Sequence, residues 1–254
     1  MTPQPDPNAI YGPLPKNFIP NQPMTSPNDQ REAFFPVLGT IPFQHPASPI
    51  PDWRIRQLAT AEGMISPFEL GKVRSVAEQE PDVPASNMYS TFQRRVISYG
   101  CSSYGYDLTL SPDDFRIFQH VPGLIVDPKN FDERCLVQAK LNRDEQGSYF
   151  ILPGHTYGLG VARERLKLPA NVTAQFIGKS TYARCGVIVN LTPGEAGWEG
   201  YLTLEMSNSS GADCRIYVNE GICQALFYEG VSCDNPYGDG KYQGQDSGVT
   251  VARI

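Results

Sequence analysis

Residues 200–208 read GYLTLEMSN. Leu202, Leu204 and Met206 alternate with Tyr201, Thr203, Glu205 and Ser207. Successive side chains of an extended chain point to opposite faces, so this period of two predicts a half-buried strand. Its aliphatics share one face, and Glu205 shares the other with Thr203 and Ser207. On an ordinary solvent-facing sheet Glu205 would merely be solvated. Similar runs recur on both sides of this stretch: RRVIS, YDLTL, FRIF, LIVD, CLVQAKL, SYFIL, YGLGVA, VTAQFI, GVIVNL, CRIYV and QALFYE. Gly, Pro, Asn and Asp separate them, and helix signals nearly vanish after about residue 95. Many short strands with turn chemistry between them indicate an all-β sandwich, jelly roll or barrel.

Upstream the pattern changes. In PDWRIRQLATAEGMI, Trp53, Ile55, Leu58 and Met64 recur near helical spacing, with Gly63 as a C-terminal stop. A second short helix is expected over PFELGKVRSVAEQ. Residues 1–50 are dense in Pro and Asn; Pro fixes φ and removes backbone donors, so neither helix nor sheet propagates there. The reading is an extended or disordered arm, either laid over a neighbouring subunit or a bare linker, followed by one domain over 51–254. The chain ends YGDGKYQGQDSGVTVARI. This Gly-rich, polar and aromatic segment, about 235–254, is expected to act as a lid that orders over a ligand.

The 254 residues suffice for one large domain or two small ones, and 40% hydrophobic content allows a packed core. A net charge of −6 argues against general nucleic-acid binding, which rests on neutralising phosphates. A small anion still fits where a few basic residues converge. There is no apolar run of membrane length and no secretory signal, so a soluble, cytoplasmic protein is the default. Six cysteines form no Cys-x-x-Cys pair and read mostly as small apolar core residues; neither a disulfide framework nor a structural zinc site is expected.

Gly178-Lys179-Ser180-Thr181 resembles the end of a P-loop, but Thr173 stands where the first Gly is required. A P-loop is therefore rejected, and Lys179 with its two hydroxyls remains an anion-binding set. His45, His120 and His155 lack a nucleophile signature, and the zinc deaminase pattern and dinucleotide fingerprint are absent. What remains is metal-free or magnesium-assisted chemistry on a polyanion. Lys179, Arg184 and Lys241 supply charge, Ser180 and Thr181 hydrogen bonds, and Glu205 a base.

VISYGCSSYGYDL, FIGKSTYARCGVIVNLTPGEAGWEGYLTLEMSN, IYVNEGICQALFYEG and GKYQGQDSGVTVARI closely resemble the dCTP deaminases of the dUTPase-like superfamily. The resemblance covers roughly residues 50–254. It implies a distorted β-barrel or jelly-roll subunit in a homotrimer, with sites at the subunit interfaces. It implies hydrolytic deamination of dCTP to dUTP and ammonia, Mg²⁺ on the triphosphate, no transition metal such as zinc, and dTTP as an inhibitor. On this chain Glu205 matches the carboxylate that takes a proton from water and passes it to the pyrimidine. Lys179, Ser180 and Thr181 match groups that contact phosphate or position the water and base. Arg184 matches an arginine that orients the carboxylate. Asn190, Leu191, Thr192 and Pro193 match the loop that reads the pyrimidine edge, and Trp198 an aromatic near the sugar. Tyr237, Lys241 and Gln245 match tail residues on sugar, phosphate and base. Asp107 reads as a turn or cap carboxylate.

Two departures stand out. The family's Arg-Ser-Ser is Lys-Ser-Thr here, a point charge that still suits phosphate. Gly194-Glu195 replaces the Ile-Asp of the superfamily's diphosphohydrolases and bifunctional enzymes, in a shorter loop. A monofunctional deaminase is therefore expected over a bifunctional enzyme giving dUMP. A non-catalytic nucleotide-binding regulator would carry a damaged carboxylate or tail, and both are intact. A modified cytosine nucleotide or dCMP is a further alternative substrate.

Overall fold

The computed structural model describes residues 48–79, 91–190 and 192–254. The Pro-rich arm, all but its last three residues, lies outside the described residues, as does Leu191. The first element is helix α1 (Asp52–Glu62). Ile55, Leu58 and Ala59 face inward, and Gly63 closes the helix with φ +69°, so its N–H donates to Ala59 O and that of Met64 to Leu58 O. Gly takes this left-handed conformation without the cost a Cβ would bring. Trp53, read with the apolar stripe, is exposed.

The remainder is mainly β, as expected. Strands β1 (Ile65–Ser66), β2 (Val73–Gln79), β3 (Thr91–Ser102), β4 (Gly105–Phe118), β5 (Leu136–Gln138), β6 (Asn142–Asp144) and β7 (Gly147–Leu152) come first. They are followed by β8 (Tyr157–Lys167), β9 (Val172–Gly178) and a one-turn helix, α2 (Ser180–Ala183). Then come β10 (Val187–Asn190), β11 (Pro193–Gly194), β12 (Glu199–Asn208), β13 (Cys214–Tyr217) and β14 (Gly221–Glu229). The second helix expected over residues 67–79 is instead a turn and β2, which pairs antiparallel with β3. Pro67 and Gly71 interrupt a helix there, and the partner strand supplies the hydrogen bonds. LIVD is no strand either: Ile125 and Val126 are exposed and pair with nothing in the sheets.

A curled sheet runs β10-β12-β8-β4-β14-β9-β11, and β6, β7 and β13 form a smaller one. The curl follows from β4. Its first half pairs with β3 and β14, and its second half with β8 and β5, across a register shift between Leu110 and Phe115. Tyr106, Leu108, Leu110, Phe115, Phe150 and Phe227 fill the enclosed core, with Phe115 stacked on Phe150 at 4.9 Å. A second apolar cluster, around Leu136, Leu159, Val161 and Val249, lies between β5, β8 and the C-terminal segment.

Glu164 and Asp107 are two of four buried acids among the described residues, with Asp114 and Glu220. Glu164 on β8 accepts hydrogen bonds from the Thr109 N–H and hydroxyl, each at 2.8 Å. Burial pushes its carboxyl up to about 7. Asp107, expected at a turn or cap, instead lies 1% exposed within β4 and pairs with lysines. Of the six thiols, all free, Cys101, Cys135 and Cys223 are core residues, whereas Cys185 and Cys233 are exposed. Among the described residues no helix is long and apolar enough to cross a membrane.

Candidate active site

β12 lies between β10 and β8, so Glu205 stands beside Asn190 on one neighbour and Leu159 on the other. The alternation read from sequence puts Leu204 and Met206 fully in the core and Glu205 on the opposite face. A register shift between Tyr201 and Thr203 breaks that alternation, so Leu202 and Thr203 join Glu205 along one cavity of ≈ 680 Å³. Glu205 is half-buried and makes no hydrogen bond or ion pair among the described residues. Loss of water around it is the sole cause that pushes its carboxyl above the ordinary value.

One wall of the cavity is aromatic. Phe118 meets Phe131 and Tyr157 edge-on, with ring centroids 6.2 and 5.5 Å apart. These rings come from distant segments outside every sequence motif, so only the topology reveals them. The opposite wall holds Thr192, Pro193, Glu195 and Trp198. Pro193 and Gly194 pair with β9, and the Thr173 hydroxyl donates to Gly194 O at 2.8 Å, which fixes this loop. Trp198 is 6% exposed within the core cluster and also lines the cavity.

The C-terminal segment closes the third side with Tyr237, Lys241, Tyr242, Gln245 and Thr250. It is bonded to the same chain's β12, the loop before it and β4. Trp198 Nε1 donates to Tyr242 O at 2.8 Å, the Tyr201 N–H to Gln245 O at 3.0 Å, and the Val249 N–H to Asp114 Oδ2 at 2.9 Å. The Thr203 hydroxyl and Gln245 Oε1 lie 3.2 Å apart within hydrogen-bond geometry. Gly197 and Gly200 have positive φ, and a Cβ at either would stand 2.7 Å from Pro236 Cβ or the Gln245 nitrogen. Glycine at these two positions lets the segment lie directly on the sheet.

Of the residues singled out by sequence, Glu205, Thr192, Pro193, Glu195, Trp198, Tyr237, Lys241 and Gln245 therefore meet in one cavity. Asn190 is placed by its backbone at the end of β10, opposite Glu205. Lys179, Ser180, Thr181 and Arg184 are not among the lining residues. Within the chain Arg184 does not orient Glu205; its guanidinium donates to Ser180 O at 2.9 Å. Lys179 is tied to Asp107 at 2.7 Å, its stem lying where a Cβ on Gly221 would approach 3.2 Å. Tyr182 anchors the turn, its buried hydroxyl accepting the Tyr217 N–H at 2.8 Å, while Ser180, Thr181 and Arg184 stay exposed. Among the described residues no three His, Cys, Asp or Glu side chains converge to hold an ion.

These features define a class of protein: a curled, mainly β chain in which a half-buried carboxylate, unpartnered among the described residues, faces a cavity bordered by a polar tail. The family model for dCTP deaminase-like proteins matches residues 86–230. The chain belongs to that family. It is 44% identical over 202 residues to the dCTP deaminase of Laribacter hongkongensis, and 45% identical over 202 residues to that of Cupriavidus metallidurans. Each match covers 78% of this chain and 95% of the relative. Among solved structures, the crystal structure of the 2'-deoxycytidine 5'-triphosphate deaminase from Agrobacterium tumefaciens is similar at 16% identity and TM-score 0.45. That likeness covers 73% of this chain and 49% of that one, about half its length.

Proposed function

We propose that the chain catalyses the hydrolytic deamination of dCTP to dUTP and ammonia in pyrimidine deoxynucleotide metabolism. Glu205 carries the reading: a half-buried carboxylate, without a partner among the described residues, faces a cavity large enough for a nucleoside, in a member of this family. Water is a poor nucleophile, and ammonia leaves only once its nitrogen is protonated. Glu205 takes a proton from water as its oxygen bonds to C4 of the cytosine, then passes that proton to the pyrimidine. The new C4 hydroxyl then gives up its proton, carried by the same carboxylate to the amino nitrogen; the C4–nitrogen bond breaks, ammonia departs and C4 is left as the carbonyl. A carboxyl held above its ordinary pKa suits both halves of this exchange.

The loop from Asn190 through Leu191 and Thr192 to Pro193 reads the pyrimidine edge, Trp198 and Tyr237 border the sugar, and Lys241 and Gln245 close the tail over the nucleotide. Mg²⁺ enters with the substrate, on its triphosphate. Charge supports a shared site. The cavity is lined by two carboxylates, Glu195 and Glu205, and one ammonium, Lys241, a poor match for a triphosphate. Lys179, Ser180, Thr181 and Arg184 of a neighbouring copy complete it in a homotrimer, with Arg184 beside the neighbour's Glu205. dTTP, with the same sugar and triphosphate, competes for the same place.

Incubation with dCTP and Mg²⁺, followed by chromatography and an ammonia assay, is the test. dUTP and ammonia should accumulate in equal amounts. Direct appearance of dUMP and diphosphate would give Glu195 a hydrolytic role and make the enzyme bifunctional. Absence of any conversion contradicts the proposal.

A further inference from the structure

The motifs put one lysine, Lys179, on the phosphate side of the site. The fold brings a second beside it. Lys72, just ahead of β2, has its Nζ 3.0 Å from Asp107 Oδ2, the same oxygen that Lys179 Nζ meets at 2.7 Å. The position of Lys72 is set by backbone packing. The Cys101 N–H donates to Glu69 O at 3.2 Å, and a Cβ on Gly100 would stand 2.9 Å from Glu69 Cβ, so this segment lies tightly on β3.

One buried carboxylate thus faces two ammonium groups. The first balances it, and the second leaves a surplus positive charge within a few ångströms of a like charge. That repulsion is relieved when an anion sits over the pair. Exposure divides the work between them: the Lys179 side chain is 10% exposed, that of Lys72 32%. Lys179 is committed to Asp107, whereas Lys72 reaches solvent. An ammonium is a compact point charge suited to phosphate oxygens.

We propose that Asp107 is the shared counter-ion of a two-ammonium phosphate subsite, in which Lys72 supplies the outward-facing cation to the substrate's triphosphate. This rests on the reading of residues 179–184 as the phosphate side of a deaminase site.

The test compares the wild type, Lys72→Ala and Lys72→Arg. Steady-state kinetics with dCTP over a range of salt are paired with calorimetric titration of inorganic tripolyphosphate. Lys72→Ala should raise KM for dCTP about tenfold, keep kcat within about twofold and flatten the salt dependence of kcat/KM. Tripolyphosphate should bind it more weakly by a similar factor, and Lys72→Arg should restore most of both losses. Unchanged KM and unchanged tripolyphosphate affinity in Lys72→Ala would overturn the proposal, leaving Lys72 a mere neutraliser of Asp107. A joint loss of kcat and melting temperature would overturn it equally, in favour of a structural role. Should the wild type release no ammonia from dCTP, the deaminase reading fails, and the tripolyphosphate comparison still decides the role of Lys72.

Discussion

Around Glu205 the chain closes on itself, whereas the turn over residues 179–184 leaves Ser180, Thr181 and Arg184 in the open. At the cavity, three separate segments are bonded to one another: Trp198 and Tyr201 donate hydrogen bonds to the tail, and Asp114 accepts one from the Val249 N–H. At the turn, Tyr182 and Lys179 are anchored while Ser180, Thr181 and Arg184 are solvated. On the proposed reading, the contrast means that one copy preorganises the acid–base half of the site alone. On the same reading, the hydroxyls and guanidinium of the turn face outward, where the proposed neighbour would use them.

Variants can break or sharpen that contrast. Glu205→Gln keeps the shape of the side chain and removes proton transfer. Ammonia release should fall on the order of 10³-fold or more, within the usual worth of a general acid–base group, while dCTP binding by calorimetry stays near the wild-type value. Substantial activity in a folded variant would remove Glu205 as the base.

Glu164 offers a test away from both regions. Its carboxyl is raised to about 7, so the folded protein holds a proton that the unfolded chain has released. Stability should therefore fall as pH rises from about 4.5 towards 7, by on the order of 3 kcal/mol if the whole shift is expressed. Glu164→Gln mimics the protonated acid towards Thr109. Thermal melts of this variant across that range should lose the pH-dependent decline that the wild type shows.

A smaller effect is expected from Trp198→Phe, which keeps the ring packing but loses the hydrogen bond to Tyr242 O. The tail should dock less firmly, raising KM for dCTP by roughly threefold with the melting temperature nearly unchanged. A change in kcat alone would mean that Trp198 acts on the chemistry rather than on the tail.

Much of this was legible in the sequence. The alternation over residues 200–208 marked β12 and put Glu205 on the non-core face, and Gly63 marked the end of α1. Both are local patterns that the structure reproduces. The errors arose where partners lie far along the chain. Residues 73–79 became a strand because β3 was there to pair with, and LIVD stayed irregular because it had no such partner. Asp107 looked like a local turn device, yet its role depends on Lys72 and Lys179, brought together by the fold. The Phe118–Phe131–Tyr157 wall was invisible for the same reason.

The most direct test of a site divided between copies is subunit mixing. Glu205→Gln and Arg184→Ala, each inactive alone, are co-refolded or co-expressed in equal amounts and assayed for ammonia release from dCTP. If one copy's turn completes its neighbour's cavity, randomly mixed trimers should recover about a quarter of the wild-type rate per site. Mixtures that form trimers and stay as inactive as their parents would contradict the account, placing Arg184 and Glu205 of a single chain in the same site.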